Sequence, residues 1–223
     1  RAELSDNARV LSQNRRLAAT RLAAEVIENM KQVGMDDAQF TIELKPNEDD
    51  AGIEIEGFAR RLRISEEGID DIEFMVSTNP GEGLKPLSQV ASGGEISRIM
   101  LAIKATLSAV DTIPTIIFDE VDQGIGSRSA KVIGEKLGQL ARDRQVLCIT
   151  HLPQVAAFAD THFFIEKAAD DSRAITNVVC LNPKRRLVEL AAMAGNGTGA
   201  IGTATELLEQ ATRWRESTHG QRS

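Results

Sequence analysis

Two short apolar segments separated by a helical pattern restrict the fold of this chain more than any other feature. The first reads TIIFDE (residues 115–120) and the second reads QVLCIT (residues 145–150). The helical pattern between them runs from about residue 127 to residue 141. Because continuously apolar strands are typical of parallel sheets buried under helices, this order predicts a largely parallel sheet in an α/β fold.

Each of these predicted strands leads into residues that can carry chemistry. Asp119 and Glu120 end the first strand, and His151 follows the second. Because the carboxyl ends of neighbouring parallel strands share one edge of the sheet, where ligands bind, we expect the three side chains to lie at the same edge. Asp119 is a candidate magnesium ligand, directly or through water, Glu120 a candidate general base, and His151 a candidate contact to a terminal phosphate. The alternatives are solvated acids at an ordinary strand end and a structural histidine.

A double glycine opens the helix that precedes these strands. Residues 90–98 read VASGGEISR, and a regular apolar pattern continues to about residue 109. Gly93 and Gly94 carry no side chain that would block a phosphate at the helix N-terminus, and Ser92 can donate its hydroxyl. Glu95 lies three residues after Ser92, the spacing of a capping box, so a well-capped helix is the alternative. A phosphate loop of the form G-x-x-x-x-G-K followed by Ser or Thr does not occur in the sequence.

The amino-terminal part of the chain divides into a long helix and a β-rich section. Residues 1–33 contain neither Gly nor Pro, and apolar residues recur at three- or four-residue spacing from Leu4 to Val33, with a break at Arg15. This pattern fits an amphipathic helix on a globular core or one arm of an antiparallel coiled coil. Alternating apolar and polar residues predict three further strands: 40–45, 52–60 and 72–77. We therefore expect three parts: 1–33, a β-rich part 34–84, and an α/β part 85–223.

The remainder of the chain continues the α/β pattern. The predicted elements are a short helix at 153–158, strands at 162–167 and 174–181, and helices at 184–194 and 200–214. The glycine-rich run 195–203 has no lysine and does not follow a strand, which predicts a flexible loop. Two basic clusters, Arg60-Arg61-Arg63 and Lys184-Arg185-Arg186, are candidate contacts to DNA phosphates, although a solvated surface is the commoner explanation.

Composition excludes several classes of protein. A net charge of −7 over 223 residues argues against a surface that coats nucleic acid, but it permits a local basic patch. Seven Phe, one Trp and no Tyr are too few rings for a platform that stacks single-stranded bases. Cys148 and Cys180 lie in apolar strand patterns, and we expect two buried thiols in a reducing compartment. No apolar run is long enough to cross a bilayer, so we expect no membrane partner.

The motifs occur in the order found in the second half of ABC-type ATPase heads. The segments around them closely resemble the RecN family of bacterial DNA repair proteins, relatives of the structural maintenance of chromosomes (SMC) proteins: TNPGEGLKPLSQVASGGEISRIMLAIK, IIFDEVDQGIGSRSAKVIGEKL and THLPQVAAFADTHFFIEK. The resemblance covers most of residues 34–210. It implies the carboxy-terminal lobe of an ABC/SMC-type P-loop ATPase head, with residues 1–33 as the returning arm of a coiled coil.

The resemblance also implies a role for the double glycine. Ser92, Gly93, Gly94 and Glu95 would form the ABC signature motif. In this family the signature contacts ATP held by a second head, so these residues would act in trans. Many ABC proteins have glutamine in place of Glu95, but SMC-like heads also have glutamate.

The same resemblance implies roles for the strand-end residues. Asp119 and Glu120 would be the Walker B pair, with Asp119 holding magnesium through water and Glu120 acting as the catalytic base. Asp122 would be the D-loop aspartate, and His151 would be the catalytic switch histidine.

The implied function is ATP-dependent recombinational repair of DNA double-strand breaks. The implied cofactors are ATP and Mg²⁺, and the implied partners are an amino-terminal Walker A lobe of the same protein, a second head in a homodimer, and DNA. We expect a cytoplasmic, nucleoid-associated protein, and we expect this chain alone to be inactive because Walker A is missing. The alternative function is an ATP-switched module that tethers DNA with little turnover of its own.

Overall fold

The computed structural model describes residues 2–170, 173–195 and 197–219. Residues outside these ranges are Arg1, Asn196 of the predicted glycine-rich loop, and 171–172 and 220–223 of the predicted α/β part. The chain forms two compact units, divided in the sequence between Thr106 and Leu107. Among the helices of the described residues, none combines the length and the apolar character that crossing a bilayer requires.

The described elements follow the predicted order. The first unit contains α1 (Ala2–Gln32), β1 (Gln39–Pro46), β2 (Glu48–Ile53), β3 (Asp70–Ser77), β4 (Lys85–Pro86), a 3₁₀ turn (Leu87–Gln89) and α2 (Gly93–Thr106). The second unit contains β5 (Thr115–Phe118), α3 (Ser127–Leu140), β6 (Gln145–Cys148), α4 (Pro153–Ala156), β7 (Phe163–Asp170), β8 (Arg173–Cys180), α5 (Pro183–Ala194) and α6 (Ala200–His219).

Arg15, the polar residue that interrupts the apolar repeat of α1, makes a contact inside the first unit. Arg15 Nη1 lies 3.6 Å from Asp70 Oδ2, and the Asp70 side chain is completely buried. Ser12 Oγ donates to the other oxygen of the same carboxylate at 2.7 Å. Leu4 and Leu11, one heptad apart, stay 51% and 39% exposed. The helix therefore packs on its own unit through Ser12 and Arg15, and it leaves apolar residues beside that contact partly exposed.

Three strands of the first unit form an antiparallel sheet in the order β1-β3-β4. Strands β1 and β3 confirm the predictions for 40–45 and 72–77. The predicted strand at 52–60 is wrong beyond Ile53, where β2 ends. Ile55 is buried in a cluster with Ala8, so packing rather than strand pairing explains its apolar character. Gly57 has a φ of 90° and Phe58 N donates to Ile55 O at 3.1 Å, which turns the chain there.

In the second unit, β5 and β6 pair in parallel and α3 connects them. Their register runs from Thr115↔Gln145 to Phe118↔Cys148. Strands β7 and β8 instead pair antiparallel, because only two residues separate them and a parallel crossover needs a dozen or more. The predicted largely parallel sheet is therefore correct for β5 and β6 and wrong for the β7–β8 hairpin.

Two glycines on α3 admit aromatic rings from α6 and from the segment after α4. A Cβ added to Gly134 would lie 2.5 Å from Phe158 Cδ2, and one added to Gly138 would lie 2.8 Å from Trp214. The rings of Phe158 and Trp214 meet edge to face, with centroids 5.5 Å apart. Close approach to α3 therefore fixes both rings, and with them the ends of α4 and α6.

We predict that Gly134→Ala and Gly138→Ala each lower the free energy of unfolding by about 1–3 kcal/mol, because the new methyl group forces an aromatic ring to move. Gly202→Ala on α6 is the matched control, since a Cβ there meets nothing within 4 Å. The control should be neutral or slightly stabilising, because alanine favours helix. Denaturant unfolding monitored by circular dichroism measures all three. Equal stability of Gly134→Ala and Gly202→Ala would contradict the packing described.

Candidate active site

The turn directly after β5 exposes two carboxylates and buries the next two residues. Asp119 and Glu120 are exposed, whereas Val121 and Asp122 are 0% and 2% exposed. Glu120 has a φ of 56°, a left-handed conformation that costs a residue with a side chain about 1 kcal/mol. Such strain is concentrated at functional sites, and here it falls on the predicted catalytic base.

The buried carboxylate of Asp122 connects this turn to the segment that follows β6. Asp122 Oδ2 accepts from the backbone N–H of His151 at 3.0 Å and from that of Leu152 at 3.3 Å. It also accepts a short hydrogen bond from Thr150 Oγ1. Thr150 was not predicted to be a partner of Asp122, although its position at the end of an apolar strand pattern is a sequence signal for such a contact. These contacts attach the loop of Thr150, His151 and Leu152 to a buried side chain.

The side chain of His151 lies at the surface but contacts the same carboxylate. It is 70% exposed, and its Nδ1 is 3.3 Å from Asp122 Oδ2. A carboxylate acceptor at Nδ1 favours the tautomer that carries its proton there, which leaves Nε2 for a second contact. The structure thus brings Asp122, Thr150 and His151 into contact. Asp119 and Glu120 lie in the turn directly after β5, the strand that pairs with β6.

The electrostatic character of this strand end is negative. Burial, and then the charges of Asp122 and Asp119, raise the pKa of the Cys148 thiol to about 12. Cys148 is half-buried and stays protonated near neutral pH, so it is a poor nucleophile. Cys180, expected to be buried, is exposed because it ends β8 in a two-stranded hairpin.

The acids at the strand end fit a magnesium ion that arrives with a nucleotide. Among the residues that the structure describes, no group of three or more His, Cys, Asp and Glu side chains is placed to hold a metal by itself. Magnesium usually binds one or two carboxylates and completes its shell with water and phosphate oxygens. Asp119 and Glu120 are a donor set of this kind.

The double glycine begins α2 in the first unit. Ile96 N donates to Ser92 O at 3.0 Å, and Glu95 N lies 3.4 Å from Ser92 Oγ. Ser92 therefore caps the helix, as the alternative interpretation expected, but its hydroxyl is held by a long bond. Gly93 is exposed and Gly94 is buried. Because Gly93 is exposed, the capping contact of Ser92 does not block a phosphate from approaching the backbone at Gly93.

The two basic clusters differ in the structure. Arg60 Nη1 pairs with Glu48 Oε2 at 2.7 Å on the surface, and Arg61 and Arg63 are exposed. Arg186 is half-buried and donates to backbone carbonyls at and after the end of α4, so its side chain is not part of a solvated surface. The sequence gives no signal for this contact, because its partners lie 27 to 30 residues away.

No protein-family model matches the chain. Individual relatives do: the chain is 41% identical over 214 residues to the DNA repair protein RecN of Streptomyces coelicolor, and 42% identical over 208 residues to that of Bacillus subtilis. These matches cover 95% and 90% of the chain. The chain belongs to the RecN family. It spans 37% of the S. coelicolor RecN and 36% of the B. subtilis RecN, and it corresponds to their carboxyl-terminal region.

A solved structure supports the predicted fold of this RecN region. The Smc head domain with a coiled coil and joint from Pyrococcus yayanosii matches 81% of this chain and 30% of its own chain, with a TM-score of 0.53 and 18% identity. At this identity the likeness concerns the fold alone. It confirms the predicted α/β fold of an SMC-type head.

We predict that Asp122→Ala lowers the free energy of unfolding by about 2 kcal/mol or more, because it leaves the donors of Thr150, His151 and Leu152 without their shared acceptor. Asp122→Asn keeps one carbonyl oxygen and should lose less. Glu206→Ala removes an exposed carboxylate from α6 and is the control. Denaturant unfolding compares the three variants, and an Asp122→Ala protein as stable as the control would refute the role assigned to this carboxylate.

Proposed function

We propose that this chain is the carboxyl-terminal half of an SMC-like ATPase head that acts in recombinational repair of DNA double-strand breaks. One observation carries the proposal: a strand-end pair of exposed acids precedes a buried aspartate, which holds a histidine loop from the neighbouring parallel strand. This arrangement suits hydrolysis of a phosphoanhydride, since it provides carboxylates for magnesium and water and a histidine for phosphate. Relatives named as DNA repair proteins support the biological setting.

Each residue at this strand end takes one role in the proposal. Asp119 holds Mg²⁺ through water, and the phosphates of ATP complete the coordination of the ion. Glu120 accepts a proton from the attacking water, and its strained backbone fixes it in the turn after β5. His151 contacts the terminal phosphate through Nε2 while Asp122 orients its ring through Nδ1. Asp122 is also the D-loop aspartate of the family pattern.

An exposed apolar face on β5 and β6 suits a further lobe of the head that would cover it. Ile117 is 65% exposed, and Leu147, its partner in register, is 42% exposed. Ile149, two residues further along, is 53% exposed. Strands of a parallel sheet are normally covered, and the sequence contains no Walker A loop. We therefore propose that an amino-terminal Walker A lobe of the same protein covers this face, and that the chain alone does not turn over ATP.

The domain organisation is part of the same proposal. Residues 1–33 form the returning arm of a coiled coil, whose partner helix covers exposed residues such as Leu4 and Leu11. Residues 34–84 form a β-rich section of the head, and residues 85–223 form its ATPase lobe. This protein acts in the cytoplasm at the nucleoid, where exposed basic residues such as Arg61 and Arg63 are available to DNA phosphates.

The signature residues serve ATP on a second copy of the head. Ser92, Gly93, Gly94 and Glu95 lie at the amino-terminal turn of α2, where an exposed glycine and a hydroxyl suit an incoming phosphate. ATP then joins two heads in a homodimer, and hydrolysis releases them. An ATP-switched DNA tether with little turnover is the alternative, favoured by the long α1 with its exposed apolar residues.

We predict that two inactive variants of the complete head restore ATPase activity when they are mixed. Ser92→Arg blocks the signature, and Glu120→Gln removes the proposed base. If the signature acts in trans, a mixed dimer contains one intact composite site, and equal mixing returns about a quarter of the wild-type rate. Phosphate release measured for each variant, the mixture and the wild type makes this comparison.

The controls separate the possible outcomes. Two inactive variants whose mixture stays inactive would indicate a signature that acts in cis. A Glu120→Gln variant as active as the wild type would refute the role of Glu120 as the base. A wild-type head that dimerises with ATP but shows negligible turnover would favour the DNA-tether alternative. ATP turnover by the purified 223-residue chain, abolished by Glu120→Gln, would overturn the requirement for a Walker A lobe.

A further inference from the structure

The short helix α4 is the direct continuation of the His151 loop. Leu152 lies immediately before α4, and its N–H is bound by Asp122 Oδ2 at 3.3 Å. The helix spans only Pro153–Ala156, so few hydrogen bonds of its own hold it in place. Its position, and that of the loop before it, must therefore depend on contacts from other elements.

Two arginines from distant helices bind backbone carbonyls at the end of α4 and in the segment directly after it. Arg186 Nη2, from α5, donates to the carbonyl oxygens of Ala156, Ala157 and Ala159 at 3.2, 3.0 and 2.7 Å. Helix ends leave carbonyl groups without helical partners, and a guanidinium supplies several donors in one plane. Nη2 of Arg186 thus binds the last carbonyl of α4 and two carbonyls of the segment that follows it.

The second arginine comes from α6. Arg215 Nη2 donates to Phe158 O at 2.6 Å and to Ala159 O at 3.0 Å, so Ala159 O accepts from both arginines. Arg215 also pairs with Asp160 Oδ1 at 3.4 Å. Two like charges share one acceptor here, and the carbonyl oxygens and the carboxylate of Asp160 offset their repulsion.

The electrostatic cost of this arrangement is visible at Arg186. Burial and the charge of Arg215 lower the pKa of Arg186, while Asp160 raises it. A desolvated guanidinium is unfavourable unless it is hydrogen-bonded, and here the backbone after α4 provides the acceptors. The buried guanidinium of Arg186 therefore requires the carbonyl groups of Ala156, Ala157 and Ala159 in their present positions.

Apolar packing surrounds the same point. Phe158 and Ala157 belong to a buried cluster with Leu190 of α5 and with Ala204 and Ala211 of α6. The segment from Leu152 to Ala159 is consequently held at one end by Asp122 and at the other by α5 and α6.

We infer that Arg186 and Arg215 are positioning residues that couple helices α5 and α6 to His151 by binding the backbone carbonyls at the end of α4 and directly after it. The inference rests on the proposed function for its catalytic consequence, but the coupling itself concerns contacts inside the second unit. Neither arginine touches the nucleotide in this proposal. They affect the reaction only by setting the position of His151.

The experiment substitutes each arginine and compares it with exposed residues of α6. Arg186→Gln and Arg215→Gln remove the charge and most of the donors, and Arg186→Lys and Arg215→Lys keep the charge. Arg213→Gln and Glu206→Gln are the matched controls, since both are exposed residues of α6 that make none of these contacts. The lysine variants keep the test valid if a glutamine variant does not fold.

Two readouts are taken from each variant. In this chain, amide NMR signals of Thr150, His151 and Leu152 should shift in the glutamine variants, shift less in the lysine variants and stay unchanged in the controls. In the complete head, kcat for ATP should fall about tenfold in the glutamine variants and recover in part with lysine, while KM stays unchanged.

The outcomes distinguish this inference from the proposed function. Unchanged loop signals, or an unchanged kcat in a head whose wild type is active, would overturn the coupling to catalysis. A fall in kcat accompanied by an equal rise in KM would also contradict it, because positioning of His151 alters the chemical step. A wild-type head without Glu120-dependent turnover would refute the proposed function instead, and the loop signals would still test the coupling.

Discussion

The second unit depends on one buried carboxylate. Asp122 is 2% exposed, and its Oδ2 accepts from the amides of His151 and Leu152 and from the hydroxyl of Thr150. Burying a carboxylate is costly unless hydrogen bonds compensate it, and these donors come from a segment 28 to 30 residues away. The contact therefore joins the loops that follow two parallel strands. Glu120 and His151 lie beside these contacts and stay exposed.

The sequence predicted those parts of the site that depend on local patterns. An apolar run that ends in acids located Asp119 and Glu120, and the next apolar run located His151. The helix start at Ser92 followed from glycine and capping chemistry, which are local as well. Long-range hydrogen bonds have no such pattern. The burial of Asp122, the donor role of Thr150 and the carbonyl contacts of Arg186 and Arg215 became visible only in the folded chain.

The errors of the sequence analysis share a cause. Ile55 alternates with polar residues as in a strand, but α1 covers it, and Gly57 ends the extended chain. The break at Arg15 was noted correctly, but its contact with the buried Asp70 was not predictable from the local pattern. Arg186 belongs to a basic run that resembles a surface patch, but it caps α4. In each case a neighbour distant in sequence supplied the partner that the local pattern lacked.

Hydrogen exchange of the backbone amides of His151 and Leu152, resolved by NMR in this chain, tests the central claim most directly. The imidazole of His151 is 70% exposed, so a loop without a buried anchor should exchange at the rate of an unstructured peptide. Because both N–H groups donate to the buried Asp122, we predict exchange that is slower by about a hundredfold or more. Exchange of these two amides at the unstructured rate would contradict the account.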